Sequence, residues 1–475
     1  MGTVNVAFSI MTQALEANQA ALNIVANNVA NANTPGYTTE SPNFQQSQPL
    51  QIGGVSYGDG VTETGATSAR DRVLTERLNQ QQQTASSTSA RLTALNTVQA
   101  LFTPDSGSSA GQAGDISSDL TGFFNSFSSL EENPANNSMR EEVLSSASTL
   151  AADVSNAAAG LNSQRSAIDQ EASGVTGQVN SLTSAISQLN LQIQSTSPDS
   201  DAGTLEDQRQ QDLSQLSQLI GVNQITTENN GISVTTTAGQ PLVSEGQNFQ
   251  LTTGSVNGVT HFFVSGADIT SQLAGGGGQL GGYLTARDQD LPAVLGSLDQ
   301  LAYSVSTQVN SLNNAGTDLA GDNGNAGDIF SAPPGLASGN AAGSAAAMSV
   351  VMTDPNHIAA AGTGMGTGDN SNATAMAALG NKAIVNGSTP TDYYANLVSQ
   401  LGAEVSNVQT ENTAASASVT QLQTQNNALS SVNLNDEASA MSNFERSYQA
   451  ASQVFTMLNT IIASVLNLGS QATVS

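Results

Sequence analysis

Residues Ala21–Glu40 read ALNIVANNVANANTPGYTTE, an almost uncharged helical pattern that ends in an explicit stop. Pro35 disfavours helix at Thr34, and Pro35-Gly36 is the preferred centre of a type II turn before Tyr37, so a helix arriving from the N-terminus ends near Asn33. Upstream, Val4, Phe8, Met11, Leu15, Asn18, Leu22, Val25 and Val29 follow one another in alternating steps of four and three. That spacing is an a/d seam, with Asn18 a polar position able to fix register at some cost in stability.

The far end of the chain repeats the design. Leu434, Glu437, Met441, Phe444, Tyr448, Ala451, Phe455, Leu458, Ile462 and Val465 alternate three and four until the pattern stops near Leu468-Gly469. Isolated helices of this length are marginal in water, and a buried Leu, Ile or Phe contributes about 1.5 to 3 kcal/mol only once it has a partner. No flanking segment offers an obvious globular partner, so the two ends are expected to pair with each other or with neighbouring subunits. The expected interface sets Val4, Phe8, Met11, Leu15, Asn18, Leu22, Val25 and Val29 against Met441, Phe444, Tyr448, Phe455, Leu458, Ile462 and Val465, with Pro35, Gly36 and Tyr37 as the terminating turn.

Between the ends, Ser138 and Glu141 form a candidate capping box for a long helix. Its apolar series runs from Val143, Ala147, Leu150, Val154 and Leu161 through Ile168, Val175, Leu182, Ile186 and Ile193, ending before Pro198. Gly160, Gly174 and Gly177 each weaken it by about 1 kcal/mol relative to Ala, so packing must hold it. Further helices are expected around residues 72–102, 205–220, 291–312 and 393–429. Short Val/Ile/Thr runs between residues 221 and 282, with the turn dipeptide Asn230-Gly231, predict a small β module. Leu273–Gly282 (LAGGGGQLGG) reads as its flexible exit, and the Gly/Ala/Ser-rich stretches 331–347 and 362–368 as surface loops. The fold class is mainly α: an elongated helical bundle built from both halves of the chain, with terminal coiled-coil helices and one small β-rich outer module. The expected partition is terminal segments 1–35 and 432–475, a helical rod of 36–220 and 283–431, and the module 221–282.

Composition narrows the function. The 475 residues carry 38 acidic and 10 basic side chains, a formal charge of -28, and Lys382 is the single lysine. Attraction to nucleic-acid phosphates or anionic headgroups is therefore unfavourable. With no cysteine, disulfides and thiolate metal sites are ruled out. No run approaches the ~18 apolar residues of a membrane span, so no membrane insertion is expected. The first basic residue is Arg70, which leaves no basic n-region for a cleaved signal peptide, and Val6 at the sixth position argues against N-myristoylation.

Catalytic and metal motifs fail on context. Gly54-Val55-Ser56-Tyr57-Gly58 matches the G-x-S-x-G elbow, but it lies in a Gly-rich loop and not between a strand and a helix. His261 and His357 have no second ligand or nucleophile close in sequence, so structural or solvated roles are expected. Asp318–Asp328 (DLAGDNGNAGD) resembles a calcium loop superficially, yet counted from Asp322 it has Gly324 and Ala326 at the third and fifth positions and no Glu at the twelfth. No catalytic, cofactor or metal residue is assigned, and the chain is read as a non-enzyme.

NNVANANTPGY (Asn27–Tyr37) resembles the N-terminal signature of bacterial flagellar axial proteins, and Ser431–Leu468 looks like their matching C-terminal end. Leu205–Val222, Gly278–Ala302 and Asn314–Phe330 are similar, in combination, to the hook-associated protein 1 family of hook-filament junction proteins. The resemblance implies a structural subunit exported unfolded through the flagellar type III apparatus without a cleaved signal peptide. It implies assembly outside the cell at the distal hook, with the hook protein, the second junction protein and a ring of its own copies as partners, and an export chaperone on the C-terminal helix. Three rivals stay open on the residues: another axial protein of hook or rod type, which in the hook case predicts a mostly β middle, a secreted coiled-coil adhesin, and a hydrolase resting on Ser56 alone.

Overall fold

The computed structural model describes residues 2–52, 54–102, 115–197 and 201–471. Residue 1 and residues 472–475 of the expected terminal segments, and Pro198 beyond the expected long helix, lie outside these. Helix α1 (Gly2–Asn31) runs into the type II turn that the sequence dictates: Tyr37 N–H donates to Thr34 O at 3.2 Å, and Gly36 has φ +82°, where L side chains are disfavoured.

Two hairpins follow where the sequence reading expected helical rod. Strands β1 (Glu40–Gln46) and β4 (Val61–Ser68) pair antiparallel around an inner hairpin of β2 (Leu50–Ile52) and β3 (Val55–Tyr57), with a bulge between Pro42 and Phe44. The strands are rich in Ser, Thr, Asn and Gln because most of their side chains face outward, so they lack the apolar alternation by which strands are recognised. Ser56 lies on exposed β3, in a strand–turn–strand context that no nucleophile elbow has.

Helices α2 (Arg72–Leu101), α3 (Ile116–Glu132) and α4 (Asn137–Thr196) come next. At the start of α4 the capping role falls to Asn136, whose side chain accepts from Ser138 N–H at 2.9 Å. The expected capping box at Ser138 is thus shifted by two residues, because the Pro134-Ala135 turn leaves Asn136 as the last extended residue. At about 1.5 Å per residue, the 60 residues of α4 span about 90 Å. Beyond it lie α5 (Thr204–Leu219), β5 (Val222–Thr226), β6 (Ile232–Thr236), β7 (Pro241–Ser244), β8 (Gln247–Asn248), β9 (Leu251–Val256), β10 (Val259–Val264) and β11 (Ala267–Asp268). β5–β8 form a four-stranded antiparallel sheet and β9–β11 a three-stranded one; Asn257-Gly258 turns β9 into β10 with both residues at positive φ.

The chain then returns through α6 (Thr270–Leu273), α7 (Gly278–Thr285), a π turn (Ala286–Asp290), α8 (Leu291–Ala315), α9 (Ser344–Ala347), α10 (Ser371–Ala378), α11 (Pro390–Ser430) and α12 (Leu434–Gln471). The expected flexible exit is instead helix from Gly278 onward. Its glycines allow close contact: a Cβ on Gly282 would lie 2.1 Å from the Ser87 carbonyl oxygen of α2.

Two cores hang on α4. Its first half, from Val143 to Ile168, packs with α2, α3, α8, α10 and α11, with Phe123 stacked edge-on against Phe127 and Phe330. Its second half, from Ala172 to Ile186, packs with α5, α7 and both sheets. Arg287, almost fully buried at the junction, donates to Asp169 Oδ1 at 2.6 Å and Thr260 O at 2.7 Å.

Candidate assembly interface

The first and last helices pack against each other, and the ring of Phe8 meets that of Phe455 with centroids 4.4 Å apart. On α12, Met441, Phe444, Phe455, Leu458 and Ile462 are half-buried and Ala451 is buried. On α1 the result is different. Val4, Phe8, Met11, Leu15 and Leu22 are half-buried, and the buried line is Val6, Ala17, Ala21, Val25 and Asn28. The reason is a second partner that the sequence did not reveal: β1 and β4 lie along α1, bonded to it through Gln13–Ser47 and Asn28–Glu40. Phe44 of β1 also reaches α12, its ring 6.3 Å from that of Phe444.

Asn18 is half-buried, and its amide donates to Ala14 O within its own helix at 2.6 Å. Val29, Tyr448 and Val465, expected in the seam, are exposed at 39%, 37% and 53%.

The turn after α1 is locked by residues that no local pattern singles out. Asn28, 1% exposed, donates to Glu40 O at 2.8 Å and accepts from Glu40 N–H at 3.0 Å, as a strand residue would. Tyr37 O–H donates to the same Asn28 Oδ1 at 2.8 Å. Thr38 then donates from its N–H and Oγ1 to the carboxylate of Asp207 on α5, at 2.8 and 2.6 Å, and Arg70 bridges Asp207 and Glu206. Thr39 N–H donates to Ser430 O at the end of α11, so one turn ties α1, α5 and α11 together. Burial, then the charges of Asp207 and Asp201, push the Glu40 carboxyl above its usual range. Burial, with Glu40, Asp207 and Glu437 nearby, likewise raises the Tyr37 phenol and keeps it a donor. Beside this clasp lies a groove of about 450 Å³ between α2, α5 and α11, lined by amides that include Asn79, Gln210 and Asn427.

Residues 105–330 match the model of the flagellar hook-associated protein FlgK helical domain, and residues 10–38 that of the flagella basal body rod protein. Flagellar hook-associated protein 1 of Bacillus subtilis (strain 168) is 28% identical, with 96% of each chain covered. That of Escherichia coli (strain K12) is 25% identical over 96% of this chain and 98% of its own. Over nearly its whole length the chain is therefore similar to flagellar hook-associated protein 1. The structure of the flagellar hook junction protein FlgK from Burkholderia pseudomallei, 20% identical, superposes with a TM-score of 0.65 over 74% of this chain and 99% of that one, which establishes the shared fold.

The apolar surface left open is concentrated on α12, where Val454, Met457, Ile461 and Val465 recur at helical spacing beside the stripe that faces α1, with exposures of 41%, 60%, 50% and 53%. Contiguous apolar surface of this kind marks an interaction site. Among the described residues no helix is long and apolar enough to cross a membrane.

Proposed function

We propose that this chain is a structural junction protein of the bacterial flagellum, which assembles at the distal end of the hook and connects hook to filament. The observation that carries the reading beyond these similarities is the paired α1–α12 end, in which α12 is covered on one face and apolar and exposed on the next. Terminal segments 1–35 and 432–475 are proposed to line an inner tube, with 36–220 and 283–431 as the rod domain and 221–282 as the outer module. A place in the flagellum and a non-enzymatic role belong to the same reading, which the similarity to flagellar hook-associated protein 1 supports.

The finer partners are the hook protein, the second junction protein, a ring of identical copies and a chaperone that holds α12 before export. Passage through the type III apparatus suits a chain with no cysteine to cross-link and with terminal helices that gain their outer partners only on assembly. The test is complementation of a bacterium lacking its own hook-associated protein 1, read by electron microscopy of hooks and by motility. The full chain should restore filaments, and a chain lacking residues 2–31 should not. Filaments restored by the truncated chain would refute the tube role; a full chain never found on hooks would refute the junction role.

A further inference from the structure

We propose that Asp318, Asp322 and His357 form a binding site for a late first-row divalent cation, which would tie the turn after α8 to the segment that ends in the 3-10 turn Pro355–His357. The three residues are far apart in sequence, and the fold joins them through backbone bonds independent of any ion: Thr317 N–H to Ala361 O at 2.8 Å and Leu319 N–H to Asn356 O at 3.0 Å. One ligand atom from each lies within 4.8 Å of the others. His357 Nδ1 is 2.7 Å from Asp318 Oδ2 and 4.0 Å from Asp322 Oδ2. With metal–ligand bonds of about 2.1 Å, adjacent ligands of an octahedral ion stand about 3.0 Å apart and opposite ligands about 4.2 Å. The two measured separations lie close to those edges, and a tetrahedral ion, with edges of about 3.4 Å, is reached by sub-ångström swings of the two exposed side chains.

The donors also fit in character. Asp318 is 1% exposed and forms the wall of the site, while His357 and Asp322 stand at its rim, where water can complete the coordination. Among the described residues the Asp322 carboxylate makes no hydrogen bond, so it is available. The neighbouring Asp354 is committed to Asn356 N–H at 2.9 Å. An imidazole nitrogen with two carboxylates favours Zn²⁺ and its neighbours over Ca²⁺ or Mg²⁺, which prefer all-oxygen shells. The molecule contains its own control: His261 Nδ1 lies 2.6 Å from Asp268 Oδ2 in a similar pair, and in both pairs the second carboxylate oxygen accepts a backbone N–H, from Asp322 at Asp318 and from Thr270 at Asp268, but among the described residues no third ligand joins His261 and Asp268.

The test is isothermal titration of Zn²⁺ into the full, untagged chain at pH 7.5. One saturable site of micromolar affinity is expected, weakened at least about 10-fold by His357→Ala and by Asp322→Asn, and unchanged by His261→Ala. Asp322 is more than half exposed, so its variant leaves the fold intact and keeps the result readable if His357→Ala perturbs the turn. No saturable binding below about 100 µM, equal binding by Asp322→Asn, or loss of the site in His261→Ala would each overturn the assignment.

Discussion

Replacing Asn28 by Ala tests whether the clasp, and not the α1–α12 seam alone, holds the terminal helices to the body. The change removes three bonds and leaves the Glu40 N–H, the Glu40 carbonyl and the Tyr37 hydroxyl without their partner in a site where Asn28 is 1% exposed. A buried group deprived of its partner costs about 1 to 3 kcal/mol, and partial entry of water keeps the sum near the lower end, about 3 to 6 kcal/mol. The loss falls on local opening of α1 and the β1–β4 hairpin, which contribute no residue to either central core. Native-state hydrogen exchange is therefore the assay. Protection of amides in the second half of α1 and in β1 should fall about 100- to 10,000-fold at 1.4 kcal/mol per decade, with α4 and α8 unchanged. Tyr37→Phe, which removes one donor and leaves Asn28 bonded to Glu40, should lose about 1 kcal/mol, or about fivefold. A loss under about tenfold in Asn28→Ala, or one spread evenly into α4, would refute the reasoning.

Gly282→Ala should destabilise the second core by about 3 kcal/mol in a chemical melt, since its Cβ would meet the Ser87 carbonyl. Gly296→Ala, with open space at the same atom on α8, should stabilise by up to about 1 kcal/mol; similar effects from both would show that the α2–α7 crossing is loose. Burial and the neighbouring Asp153 push Asp119 up to about 7, against an ordinary 3.8, so the folded chain binds more protons than the unfolded one between those values. Stability should fall as pH rises through that window, and Asp119→Asn should melt higher than wild type at pH 8 but level with it at pH 4; the reverse order would exclude the acid pair as the cause. Leu458→Asp should open the α1–α12 pair, whereas Met457→Asp should leave the monomer's exchange pattern intact and still block incorporation at hooks. Normal incorporation of Met457→Asp would remove the outer face of α12 from the interface.

What was legible in the sequence was what is local. The stop at Thr34–Tyr37 and the apolar steps of α2, α4, α5, α8, α11 and α12 need only neighbours along the chain to be read, and each appears as helix. Helix α3 carries the same signal in Ile116, Leu120, Phe123, Phe127 and Leu130, and it supplies the aromatic centre of the first core. The glycines at 278, 281 and 282 have two local readings, freedom or close approach, and only the presence of α2 decides between them. Asn28 stands among Asn23, Asn27, Asn31 and Asn33, all alike as letters. Its burial depends on β1, whose own sequence hides it.

The C-terminal helix shows how much a local pattern can hold when it is read twice. Val454-Phe455, Met457-Leu458 and Ile461-Ile462 are apolar doublets, and a single seam requires only one member of each. In the fold the second members, Phe455, Leu458 and Ile462, turn toward α1 and are half-buried, while Val454, Met457 and Ile461 face solvent. At about 100° per residue, neighbours in a doublet cannot share one contact line, so the repeated doublet specifies two partner faces on one helix. The chain's own α1 fills the first, which accounts for the pairing within a single subunit. The second is the face that the proposed tube would cover with an adjacent subunit, and it is the reason why a helix already paired at home still has something to gain from assembly.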